Sequence, residues 1–218
     1  MNSTIRDDEP IITSSTSTAE FEKIFSKEMS AEEFINIFEN YENYSKSNAL
    51  EVMQKEHSRI FKCFTDELAP LETFLKYRNI IGTERIRIGM KELRWDAYIN
   101  NEKYIEITVA ELPKESFYRK HGYDNINRFI LARKAPTFMK DIIINRIIEK
   151  TEKEYPENTT LLVRLTDRET FEVDTHMEKW ISEIRPIISD IFSRPKIKSK
   201  FSEIFLIDIS RNVTMKLY

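Results

Sequence analysis

The stretch from Arg94 to Val109, RWDAYINNEKYIEITV, limits what this chain can fold into more than any other. Apolar and polar residues alternate on both sides of Asn100-Asn101-Glu102, the pattern of two short strands around a tight polar turn. A three-residue turn pairs Ile99 with Lys103, and counting back sets Asp96 opposite Glu106. Side chains alternate between faces, so Trp95, Ala97, Ile99, Ile105, Ile107 and Val109 share an apolar face, while Arg94, Asp96, Tyr98, Tyr104, Glu106 and Thr108 share the other. Carboxylates facing each other across a strand pair, about 5 Å apart at the backbone, repel unless a cation lies between them, and a divalent metal ion is the usual candidate.

At 218 residues the chain has room for one sizeable core. The expected organisation is a loosely ordered segment over 1–18, an acidic helical appendage over 19–46 and an α/β domain over 47–218. No apolar run reaches the length needed to span a bilayer, and the N-terminus MNSTIRDDEP lacks a basic region followed by an apolar one, so a cytoplasmic address without membrane contact is expected. The single cysteine, Cys63, excludes an internal disulfide and a cysteine-based zinc site. With three glycines in the chain there is no glycine-rich phosphate cradle. Charge is unevenly spread: residues 114–153 hold ten Lys/Arg against five Asp/Glu, which places a basic block directly after the acidic hairpin. Solvated helix faces explain such a block as well as a polyanion partner does.

Capping patterns mark two early helices, Ser17-x-x-Glu20 and Ser30-x-x-Glu33. A longer helical pattern runs from Ser47 to Arg78 with Met53, Ile60, Phe61, Phe64 and Leu68 on its apolar stripe and Pro70 breaking or kinking it. Glu56 lies at the edge of that stripe, placed to lean toward a sheet. A strand over Arg85–Met90 precedes the hairpin. A polar loop from Pro113 follows it, and then a helix with Phe138, Ile142, Ile143, Ile147 and Ile148 on its buried stripe. Thr160–Leu165 reads as a strand covered on both faces, Asp174–Phe192 as a helix bearing Trp180, Ile184, Ile187, Ile188 and Ile191, and Ile204–Ile209 as a last strand. The expected fold class is therefore α/β, a mixed central sheet of about five strands with helices on both faces.

This order, with Asp96 in the second core strand and Glu106-x-Thr108 in the third, resembles the PD-(D/E)XK nuclease superfamily and its restriction-endonuclease-like core. Tyr104-Ile105-Glu106-Ile107-Thr108, followed by Lys150, Tyr155 and Leu161-Leu162-Val163, is similar to uncharacterised members whose third strand reads Ile-Glu-x-Thr. The resemblance covers about Ser47 to Asp167. It implies metal-dependent hydrolysis of phosphodiester bonds in DNA, with RNA second. The implied cofactor is Mg2+ (or Mn2+), held by Asp96 and Glu106 with Glu56, or failing that Glu51, as auxiliary ligand. A lysine usually stands two residues beyond the Glu; here Thr108 stands there, and its hydroxyl brings no charge. The resemblance then requires a lysine from elsewhere, with Lys150 ahead of Lys140. It makes Asp96, Glu106, Thr108 and Lys150 the catalytic set, and Arg94, Tyr98, Tyr104 and Lys140 the contacts to nucleic acid.

The rival reading is a non-catalytic interaction or regulatory module on a degenerate nuclease scaffold, its acidic N-terminal helices docking a protein partner; a homodimer is a further expected assembly. His57, His121 and His176 have no second His at ligand spacing and read as structural or local residues. Cys63 beside Phe64 reads as a core thiol. Arg194, Lys196, Lys198 and Lys200 form a basic run whose default is solvation.

Overall fold

The computed structural model describes residues 12–13, 15–48, 59–89, 96–111, 135–165, 173–193, 201–209 and 212–218, with the side chains of 135–138, 173–177 and 180 left aside. Among the described residues, seven strands form one sheet in sequential order. They are β1 (Met29–Ser30), β2 (Arg85–Ile88), β3 (Ala97–Ile99), β4 (Lys103–Ala110), β5 (Thr159–Leu165), β6 (Phe201–Asp208) and β7 (Val213–Lys216). The first four pair antiparallel, β4–β5 and β5–β6 pair parallel, and β6–β7 closes antiparallel. The mixed α/β sheet matches the sequence reading, but its strand number does not. β1, at two residues, and β7 are too short or too weakly alternating to stand out in sequence, and each exists because a longer neighbour offers it a ladder.

The hairpin forms as expected. Ile99 pairs with Lys103, Tyr98 with Tyr104 and Ala97 with Ile105. Asn100 and Asn101 take the left-handed backbone, φ 52° and 56°, that asparagine tolerates better than most residues. The Asn100 side chain also accepts the Arg85 N–H at 2.8 Å, which ties the turn to β2.

One core lies on each face of the sheet. The first gathers α1 (Thr18–Phe25), α2 (Ala31–Ser47), α3 (Arg59–Cys63), a π-helical turn over Phe64–Leu68 and α4 (Ala69–Tyr77) against Ile86, Ala97, Ile105, Ile107, Leu162 and Phe205. The second packs α5 (Ala135–Thr151) and α6 (Val173–Ser193) against Ala110, Leu161, Val163, Leu165, Ile204 and Leu206. The parallel pairs require crossovers, and α5 and α6 stand between their strands in the chain.

The described residues of the N-terminal part pack into the first core. The segment expected as an appendage buries Phe21, Phe25, Phe34, Ile37 and Tyr41 in the first core and supplies β1. Ile12, inside the segment expected to be loose, is 1% exposed in the same core. The helix starts themselves are the expected ones. Ser17 and Glu20 form a reciprocal capping box, and Ser30 accepts the Glu33 N–H at 3.0 Å. In α6, Ile181, Ile184, Ile188 and Ile191 are buried while Ile187, expected inside, is 44% exposed.

The π-helical turn has a local cause. Pro70 has no N–H to donate into the preceding turn, and the Ala69 N–H reaches back five residues to the Phe64 carbonyl. The turn carries Asp66 and Glu67. Asp66 forms an ion pair with Arg164 of β5. No helix among the described residues is long and apolar enough to cross a membrane.

Candidate active site

Glu106 sits in the middle of β4 and is 7% exposed. Its face of the strand, shared with Thr108 and Ala110, is covered by the second helical layer, so neither Glu106 nor Thr108 is a solvated residue on an open sheet. Lys150, in the last turn of α5, donates from Nζ to Glu106 Oε1. The Tyr155 hydroxyl donates to the same oxygen at 3.1 Å, its ring held against Phe201 with centroids 5.1 Å apart. Burial pushes the Tyr155 hydroxyl up, and the Glu106 charge adds to it, so the phenol stays a donor.

Asp96 lies one residue before β3, where the ladder with β4 gives out. Its N–H donates to the Ile105 carbonyl at 2.9 Å, and its Oδ2 accepts the Ile107 N–H at 2.6 Å. Backbone and side chain of Asp96 thus bracket Glu106 from both sides along β4. Burial raises the Asp96 carboxyl well above the usual carboxylate range. Repulsion from Glu106 and Glu67 adds to the rise, and the Ile107 N–H and the Lys150 charge oppose it. The direct contacts are those of Lys150 with Glu106 and of Asp96 with the Ile107 N–H, the residue after Glu106.

Glu67 is the residue that sequence reasoning missed. It projects from the π-helical turn and accepts the Cys63 thiol at 3.3 Å; burial raises it, with the Asp66 and Glu106 charges adding and the thiol bond and the Arg59 charge opposing. The Cys63 thiol is itself pushed up by burial and by Glu67, as a core thiol should be. One available signal was Pro70 three residues after Glu67, because a proline inside a helical run shifts which side chains face the sheet.

Of the remaining expected site residues, three are described away from this group: Tyr98, Tyr104 and Lys140. Tyr98 and Tyr104 stack on each other across the hairpin, centroids 4.4 Å apart. Lys140 pairs with Glu183 of α6, away from Glu106. Glu51, Glu56, His57, Arg94, Trp95, His121 and the basic run from Arg194 to Lys200 lie outside the described residues, as does the His176 side chain.

As cation donors, Asp96 and Glu106 are hard oxygen ligands of the kind magnesium takes, and each has a second oxygen that none of the hydrogen bonds above uses. No group of three or more His, Cys, Asp and Glu side chains among the described residues is arranged to hold a metal ion. Comparison with family models, with curated proteins and with solved structures gave no match.

Proposed function

We propose that this chain is a metal-dependent nuclease-like protein that hydrolyses phosphodiester bonds in DNA, with RNA as the second choice of substrate. The observation that supports it is the meeting of Lys150 with Glu106 beside Asp96. Two acids and a lysine come together even though Thr108 stands where a third-strand lysine would be. In this reading Asp96 and Glu106 hold Mg2+ (or Mn2+) with Glu56 as the auxiliary ligand, and the buried Glu67 of the π-helical turn adds its charge nearby. Bound there, the ion would stabilise charge on the phosphoryl oxygens and lower the pKa of an attacking water. Tyr155 fixes the rotamer of Glu106, Lys150 offers a positive charge to the developing phosphoryl oxyanion, and Thr108, 9% exposed on the same face, packs beside them.

The occupation of Glu106 Oε1 by both Lys150 and Tyr155 favours a second reading, the non-catalytic module that keeps the scaffold and not the chemistry. Incubating plasmid, single-stranded DNA and RNA with the protein in Mg2+ or Mn2+ separates the two. Nicking that falls at least about 100-fold in Asp96→Asn and Glu106→Gln is expected if these side chains organise the reaction. Equal nicking by all three proteins, or none by the wild type, would sink the enzymatic reading.

A further inference from the structure

Three cations gather around one acid where β4 and β6 begin and β7 ends. Glu203, its side chain 15% exposed, meets Lys103 of β4 at 2.8 Å, Lys216 of β7 at 3.1 Å and Arg78, just after α4, at 3.2 Å. One carboxylate neutralises one of these three charges, so the cluster carries an excess of two. The excess faces water, because Arg78 and Lys216 are 37% and 51% exposed. Glu72 of α4 and Glu39 of α2 are engaged elsewhere, both on Lys76. Next to Arg78 stands Tyr77, at 52% the most exposed large apolar side chain among the described residues. Its ring meets the fully buried Phe205 edge-on with centroids 5.9 Å apart, and the Arg78 guanidinium lies 5.9 Å from the same ring. Phe205 is thus a fixed floor under both an exposed aromatic and an exposed cation. A ring left half in water adds little to a core, whereas an aromatic beside fixed cations is the combination that receives a base and its phosphate.

We propose that Tyr77, Arg78 and Lys216 form a contact site for single-stranded nucleic acid, an unpaired base lying on Tyr77 and its neighbouring phosphate meeting Arg78 and Lys216. Glu203 and Lys103 are the frame of the site. The carboxylate holds the cations in place beforehand, so less side-chain freedom is lost when a phosphate arrives. Arg78 meets Glu203 through Nη1, and its guanidinium has five N–H donors in all, which leaves donors for a second anion. A duplex keeps its bases stacked on one another and offers Tyr77 none, so the site selects single strands. Side chains alternate along β4, and Lys103, three residues before Glu106, lies on the opposite face of the sheet from it. The inference takes from the reading above only the class of partner, nucleic acid, and involves neither the carboxylates of that reading nor a metal.

The test is fluorescence anisotropy of the full chain with a labelled oligothymidylate of about 12 nucleotides, in EDTA and low salt. Tyr77→Ala is expected to weaken binding at least about fivefold, the low end of what one stacked base contributes. Lys216→Gln and Arg78→Gln should each weaken it and lower the slope of log affinity against log salt by about one. Lys46→Gln, at an α2 lysine 68% exposed, is the control and should bind like wild type. Glu106→Gln should also bind like wild type, so a failure of the nuclease reading and a failure of this one are told apart. The same sequence as a duplex should bind more weakly and be indifferent to Tyr77→Ala. If Arg78→Gln does not fold, Tyr77→Ala and Lys216→Gln, at more exposed side chains, decide the matter. No binding by wild type, or binding that Tyr77→Ala and Lys216→Gln leave unchanged, would overturn the proposal. So would poly-glutamate binding as tightly as the oligonucleotide, which would mark a surface for acidic proteins instead.

Discussion

Replacing Glu203 by Gln tests how much of the stability of this fold rests on one carboxylate at the start of β6. Three cations from separate elements converge on it: Lys103 of β4 at 2.8 Å, Lys216 of β7 at 3.1 Å and Arg78 at the end of α4 at 3.2 Å. Arg78 also lies over the Phe205 ring, 5.9 Å from its centroid. Burial alone would push the Glu203 carboxyl up. The hydrogen bonds from Lys103 and Lys216 and the charges of Lys103 and Arg78 overcome burial and hold it at about 2, against an ordinary 4.5. A depression of that size corresponds to an advantage on the order of 3 kcal/mol for the folded state at neutral pH. Two of the partners, Arg78 and Lys216, are 37% and 51% exposed, so water screens them and the figure is reduced to about 2 kcal/mol. Because the folded-state value is the lower one, this contribution is fully present above pH 4.5 and is lost as pH falls toward 2.

Urea unfolding of wild type and Glu203→Gln at pH 7, 5 and 3 should show a deficit of about 2 kcal/mol at pH 7 and pH 5 that shrinks at pH 3. In a thermal scan at pH 7 the same deficit appears as a melting temperature lower by roughly 4–8 °C for a chain of this size. A pH 7 difference below about 0.5 kcal/mol, or one that does not shrink as the solution is acidified, would refute the argument and mark the cluster as an ordinary set of surface pairs.

Two further predictions concern the layer that the N-terminal half contributes. Phe34→Ala, at a side chain 0% exposed in the first core, should cost about 3–5 kcal/mol in urea unfolding if α2 is part of that core, whereas an appendage would lose far less. The Asp66–Arg164 pair crosses from the π-helical turn to β5 with side chains 16% and 17% exposed. Asp66→Asn should therefore destabilise by about 3–5 kcal/mol, and the double variant Asp66→Leu with Arg164→Met should recover much of that loss; a double variant no better than the single one would show that the pair does not act as a unit.

What the sequence determined by itself is what neighbours along the chain decide. Alternation over sixteen residues and an Asn-Asn turn specified the hairpin and its register, because a three-residue turn leaves only one way for Ile99 to meet Lys103. Ser17 and Ser30 announced helix starts, because a cap is satisfied by the backbone three residues on. The α/β class followed from the same local periodicities.

The tertiary structure decided everything that depends on distant partners. Met29 and Ser30 become a strand only because Arg85 and Ile86 lie beside them. The acidic N-terminal segment becomes core because its phenylalanines find Phe64 and the sheet, a choice that its charge content conceals. Glu67 meets the Cys63 thiol from a π-helical turn that no stripe of straight α-helix marks in the sequence. The 44 residues separating Glu106 from Lys150 are closed by the β4–α5–β5 crossover, and α5 alone carries Lys140, Arg146 and Lys150 as cations of similar appearance in sequence. Burial selects among them: Lys140 meets Glu183, Arg146 meets Glu149, and Lys150 reaches the one buried carboxylate that has Asp96 beside it.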